Sequence, residues 1–129
     1  MKTVYSAAKA EYDCKYQPGS NLLTIAGKCT GRAQAMGSDK WGRYCWQTMR
    51  GGRDEGILVI TAYRVCHTAS DNPGPNTAYT QQYTAMREEG IKKPNPRRQI
   101  FTDLIKFIDE KCLEGYRPVV MMDANRDCN

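Results

Sequence analysis

Val119-Val120-Met121-Met122-Asp123-Ala124-Asn125 carries four apolar residues straight into a carboxylate, with an amide two positions on. A short apolar run of this kind predicts a β-strand. Alternate residues of an extended chain face the same side, so Asp123 and Asn125 at the strand end can point into one cleft. An ionised Asp placed there loses hydration and calls for a metal, a cation or hydrogen-bond donors. The alternative is local: Asp123 caps a turn and Asn125 bonds nearby backbone.

Upstream of this strand the periodicity changes. Ile100, Phe101, Leu104, Ile105, Phe107, Ile108 and Cys112 form a broad apolar face at helical spacing. Asn95 is a candidate N-cap, Pro96 suits the first helical position, and Gly115 is placed to stop the helix. A shorter helix precedes it, with Asn76 as candidate cap, Tyr79, Tyr83 and Met86 on one face, and Gly90 as its stop.

Earlier still, Ile57-Leu58-Val59-Ile60-Thr61-Ala62-Tyr63-Arg64 reads as a buried strand that ends in a phenol and a guanidinium. Both groups suit phosphate oxygens. The competing reading makes Tyr63 a core-edge aromatic and Arg64 a solvated side chain. Tyr44, Trp46 and Thr48 share one parity, so Arg43–Met49 predicts a half-buried strand. The turn composition of Arg50–Gly56 makes the two a hairpin. Asn21–Gly27 reads as a short strand, Gly31–Gly42 and His67–Pro75 as loops, and residues 1–15 carry no defined element. Strands before helices, then a final strand, give a mixed α/β (α+β) class with a crossover inside one sheet.

Composition narrows the class further. The 129 residues suffice for one domain. At 40% hydrophobic and 26% charged, the chain is ordinary for a soluble globular protein. No apolar run is long enough to span a bilayer, so no membrane partner is expected. The opening residues lack the apolar stretch of a secretory signal, so an intracellular location is expected, nucleus or cytoplasm unresolved. The six cysteines include no C-x-x-C pair, which leaves zinc without local support and favours free thiols over disulfides. A net charge of +5 favours polyanions without identifying one.

Taken in order, several segments resemble the DNase I-like (endonuclease/exonuclease/phosphatase) superfamily, in its eukaryotic and retroelement-type members. These are Gln17-Pro18-Gly19-Ser20, Gly42-Arg43-Tyr44-Cys45-Trp46, Ile60-Thr61-Ala62-Tyr63, Pro96-Arg97-Arg98-Gln99 with Asp103-Leu104, and Met122-Asp123-Ala124-Asn125. The likeness spans about residues 16–127 and implies the central fragment of such a domain over 16–129. It also implies a partial two-sheet sandwich with outer helices and a mixed sheet. By this resemblance Asp123 positions the attacking water, Asn125 holds a phosphate oxygen, Tyr63 hydrogen-bonds the scissile phosphate, and Arg64 is an additional phosphate contact. The implied reaction is hydrolysis of a phosphodiester assisted by magnesium or manganese, with nucleic acid, DNA first, as partner.

The departures from the family pattern matter equally. The family's metal-binding Glu lies before the matched region, and its Asp-His pair lies after it. The single histidine, His67, follows the Tyr63 strand and is expected to be a non-catalytic loop residue. The chain alone is therefore expected to hold magnesium weakly and to be an inefficient nuclease. The alternative is a catalytically dead polyanion-binding module using Arg43, Arg50, Arg53, Arg64, Arg97 and Arg98. An unrelated α/β domain that matches by chance is the third reading.

Overall fold

The structure, a computed structural model, describes residues 1–6, 19–66 and 77–125. A four-stranded mixed sheet has the order β3-β4-β5-β6: Ala33–Ser38, Tyr44–Arg50, Gly56–Tyr63 and Tyr116–Asp123. A second, two-stranded sheet pairs β1 (Lys2–Ser6) with β2 (Asn21–Ile25). Two helices, α1 (Ala78–Glu88) and α2 (Pro96–Leu113), connect β5 to β6. The result is a mixed α+β sandwich.

The expected hairpin is present, with β4 and β5 antiparallel from Tyr44↔Ala62 to Arg50↔Gly56. Its turn closes through Gly51 N–H donating to the Glu55 carbonyl at 2.7 Å. The expected crossover is present too: β5 and β6 run parallel, in register from Gly56↔Tyr116 to Tyr63↔Asp123.

Alternation divides the sheet into two faces. Tyr44, Leu58, Ile60 and Ala62 pack with Leu104 of α2, joined by Trp46, Phe107 and Met122. On the other face Cys45 and Val59 meet Val4 and Leu23 of the small sheet. Leu58 and Ile60 are fully buried, and each such side chain contributes about 1.5–3 kcal/mol of hydrophobic stabilisation. The buried Gln47 amide ties the two sheets by donating to the Lys2 and Leu23 carbonyls, at 3.2 and 3.0 Å. Gly37 is required on β3 because the Trp46 ring lies over it; a Cβ there would sit 2.7 Å from Cζ2.

Helix α2 begins as read. The Asn95 side chain accepts from Arg98 N–H at 3.2 Å, and Pro96 opens the helix. Helix α1 is capped by Thr77, whose Oγ1 accepts from Thr80 N–H at 3.2 Å. The proposed Asn76 cap, the His67–Pro75 loop and the Gln17-Pro18 turn lie outside the described residues.

Three expectations need correction. The segment read as the loop Gly31–Gly42 holds the end of a 3-10 helix, Gly27–Arg32, and the whole of β3. Strand β3 was hidden because its sequence, Ala-Gln-Ala-Met-Gly-Ser, has no β-branched residue, and it forms by pairing with β4. The first residues, read as undefined, form β1 by pairing with β2. Finally, the apolar run at Val119–Met122 reads as a central strand, yet β6 is the edge of the described sheet. Val119, Val120 and Met121 are 50%, 42% and 49% exposed. Pro118 fits that place: the Gly115 and Asp123 carbonyls accept from the β5 side, so by alternation the missing Pro118 N–H falls on the outer edge.

Candidate active site

Parallel pairing of β5 and β6 sets Tyr63 beside Asp123 as the last pair of the ladder. The two strand exits are then stitched together. Arg64 N–H donates to the Asp123 carbonyl at 2.9 Å, and Asn125 Nδ2 donates to the Arg64 carbonyl at 2.6 Å. Tyr63, Asp123 and Asn125 therefore share one strand mouth, as the sequence reading placed them. The local alternative is realised for Asp123, while the Asn125 side chain bonds the Arg64 carbonyl of the other strand rather than nearby backbone. Asp123 Oδ1 accepts from Asn125 N–H at 3.2 Å, an Asx turn, with Asn125 in the left-handed region at φ 40°. The turn leaves Asp123 exposed to solvent at the mouth.

Burial raises the Tyr63 phenol above its ordinary pKa. The Cys66 thiol and the Asp123 charge act in the same direction, and a hydrogen bond from the Asn125 side chain opposes them. Tyr63 is thus a neutral O–H donor at physiological pH, the form suited to a phosphate oxygen. Gly19, at φ +83°, lies against the Tyr63 ring; a Cβ there would meet Cε1 at 3.6 Å. Gly19, part of the Gln17-Pro18-Gly19-Ser20 stretch of the resemblance, therefore sits beside the Tyr63 ring.

Arg64 sits differently from its expected role. Its Nε donates to the Arg97 carbonyl at 3.0 Å, its Nη1 reaches the Ala124 carbonyl at 3.5 Å, and its guanidinium lies 4.9 Å from the Phe101 ring. Those donors are used within the protein rather than presented at the mouth.

Two further arginines named as polyanion contacts are interior. Arg43 is 1% exposed and lies between two carboxylates. Its Nε bonds Asp39 Oδ2 and its Nη2 bonds Asp103 Oδ2, both at 2.7 Å, and its plane covers Trp41. Burial works against the charged guanidinium, but Asp39 and Asp103 outweigh it and raise its pKa. Arg97 is 8% exposed, and its donors go to the Val65 and Asn125 carbonyls. Sequence reasoning missed this role for Arg97 and the proximity of Cys66, whose Sγ lies 4.0 Å from the Tyr63 hydroxyl. The one available signal for Arg97 was its position directly after a helix-opening proline.

Among the described residues no group of three or more His, Cys, Asp or Glu can hold a metal ion. Asp123 offers a carboxylate, but the described residues do not form a cage for magnesium or manganese, which need several oxygen ligands. Also among the described residues, no helix is long and apolar enough to cross a membrane. No family model, curated protein or solved structure matches this chain.

Proposed function

We propose that the mouth formed by Tyr63, Asp123 and Asn125 is the water- and phosphate-positioning part of a phosphodiesterase site acting on nucleic acid. One observation carries the reading: the Tyr63↔Asp123 register brings a neutral phenol, a solvent-facing carboxylate and a buttressed amide to one place. The ordered resemblance to DNase I-like enzymes supports it. Asp123 orients a water and accepts its proton, while Tyr63 donates to a phosphate oxygen. Asn125 has one Nδ2 proton committed to the Arg64 carbonyl; the second, on the Tyr63 side, is the one a phosphate oxygen or water would take. Hydrolysis also requires stabilisation of developing charge, which magnesium or manganese supplies in enzymes of this kind.

A second reading, nucleic-acid binding without turnover, draws on the exposed Lys92, Lys93 and Arg98 around the start of α2. One experiment addresses both. A labelled chain is titrated with a short oligonucleotide, and its NMR signals are followed while plasmid nicking with magnesium is measured in parallel. The phosphodiesterase reading expects the Tyr63 and Asn125 signals to move, with slow nicking that Asp123→Ala abolishes. Movement without nicking favours the second reading. Signals that move only elsewhere on the surface would sink the site.

A further inference from the structure

We propose that Arg97 is the positioning residue of this mouth, fixing Asn125 from behind through the backbone; the inference rests on the phosphodiesterase reading for its functional meaning. Arg97 occupies the first turn of α2, directly after Pro96. Its guanidinium reaches both strand exits at once. Nη1 donates to the Val65 carbonyl after β5 at 2.7 Å, and Nη2 donates to the Asn125 carbonyl after β6 at 3.0 Å.

The surrounding bonds close a ring of three residues. Arg97 donates to the Asn125 carbonyl, the Asn125 amide donates to the Arg64 carbonyl, and the Arg64 Nε donates to the Arg97 carbonyl. Each member holds the next, and each uses one side-chain donor and one backbone acceptor. The ring spans three separate elements: the exit of β5, the exit of β6 and the start of α2. With the Arg64 N–H bond to the Asp123 carbonyl, it therefore fixes the relative placement of Tyr63 and Asn125 beyond the last ladder pair, Tyr63↔Asp123. It also holds Asn125 in its left-handed conformation at φ 40°, which costs a non-glycine residue unless the surroundings impose it.

A planar fork with two fixed donor directions suits two carbonyls on different strands; an ammonium is a single point charge on a flexible stem. Arg97→Lys is therefore the informative change, because it keeps the positive charge and removes the fork. The Asn125 side chain acts to lower the Tyr63 phenol against its other neighbours, so displacement of Asn125 is readable at Tyr63.

The test uses the full chain labelled for NMR, with Arg97→Lys, Asn125→Ala and the double variant. Far-UV circular dichroism and the β5–β6 amide signals check the fold. In Arg97→Lys, the Asn125 side-chain amide signals should lose their dispersion. The Tyr63 phenol should titrate higher than in the parent, because the opposing hydrogen bond is lost. Binding of inorganic phosphate, followed at Tyr63, should weaken roughly tenfold, the loss of about one charge-assisted hydrogen bond. Asn125→Ala should raise the Tyr63 titration equally, and the double variant should add nothing further. If Arg97→Lys does not fold, Arg64→Lys breaks the same ring at the Arg97 carbonyl and is read in the same way. A variant with a lower unfolding midpoint but parent-like Tyr63 titration and Asn125 signals would overturn the proposal, leaving Arg97 a purely structural residue. The two readings fail separately. If phosphate moves neither Tyr63 nor Asn125 in the parent while Arg97→Lys still shifts the Tyr63 titration, the phosphodiesterase reading falls and the positioning stands.

Discussion

Replacing Arg43 decides whether the positive residues of this chain act as ligand contacts or as internal links. The Arg43 side chain is 2% exposed, and those of Asp39 and Asp103 are 6% and 30% exposed. Asp39 takes two bonds from the guanidinium, at 2.7 and 3.1 Å, and also caps the Trp41 and Arg43 backbone N–H groups at 3.3 Å. Removing one partner from a buried ion pair costs about 3–5 kcal/mol, because the other charge is left without compensation. Arg43→Met and Asp39→Asn should both fall in that range. Asp103→Asn should cost less, about 1.5–3 kcal/mol, since Asp103 is partly solvated and supplies one charge-assisted bond. Domain stability is about 5–15 kcal/mol, so the larger losses bring the chain near unfolding. Urea denaturation measures this: with slopes of about 1–3 kcal/mol per molar, Arg43→Met should lower the midpoint by more than about 1 M. The exposed Arg98 is the contrast. Arg98→Glu should leave the midpoint in place and weaken salt-sensitive oligonucleotide binding. An Arg43→Met variant with a parent-like midpoint and lost oligonucleotide binding would refute the reasoning.

Alkaline pH supplies a second test. Burial first, then the Asp39 charge, pushes the Tyr44 phenol up to about 12 from its ordinary 10.0. A group whose folded pKa is raised contributes stability that is fully present below its unfolded value and is lost as pH rises through the folded one. Stability should therefore decline between about pH 10 and 12 by on the order of 2–3 kcal/mol, and urea titrations of Tyr44→Phe should show a shallower decline. On the sheet edge, Val119→Lys should reduce concentration-dependent self-association in sedimentation velocity, because charge on an exposed edge discourages strand pairing. Gly37→Ala should displace the Trp46 ring and cost about 1–3 kcal/mol, with a change in tryptophan fluorescence; an unchanged spectrum and midpoint would show that the ring does not cover this position as described.

The elements legible in the sequence were those whose pattern and chemistry agree. Helix α2 combines a capping Asn, a proline at its first position, a broad apolar face and a glycine stop; the cap, the proline and the stop are realised, while Ile105 and Cys112 of the apolar face are exposed. Strands β4 and β5 announce themselves by alternation and by a β-branched run. Strand β3 does not, because its stability comes from β4, from the Trp46 ring over Gly37 and from the Thr48 hydroxyl accepting from Ala35 N–H at 3.0 Å. Strand β6 shows the opposite failure. Its apolar run gives the strand but not its rank in the sheet, since hydrophobicity does not say whether a neighbour is present.

The candidate site was legible to the same depth. Asp123, Asn125 and Tyr63 were found because a polar residue directly after an apolar run is placed at a strand end whatever the rest of the fold does. Their mutual distance depends on register, which a sequence does not print. The arginines expose the limit most clearly. Arg43, Arg64, Arg97 and Arg98 look alike as charges in a sequence, and only solvation separates them. Arg98 is exposed, while Arg43 and Arg97 are buried and hold carboxylates and carbonyls. A count of basic residues therefore overstates the surface available to a polyanion. Arg97 sits one residue from Arg98 yet faces inward, where its fork joins the exits of β5 and β6. On the proposal that the Tyr63–Asp123–Asn125 mouth takes phosphate, affinity should depend on one arginine that meets the ligand's surroundings through salt-sensitive charge, and on another that never meets the ligand and whose effect is independent of salt. Measuring the salt dependence of binding for Arg98→Glu and Arg97→Lys side by side tests that division: the first should flatten the slope, and the second should lower affinity at every salt concentration by the same factor.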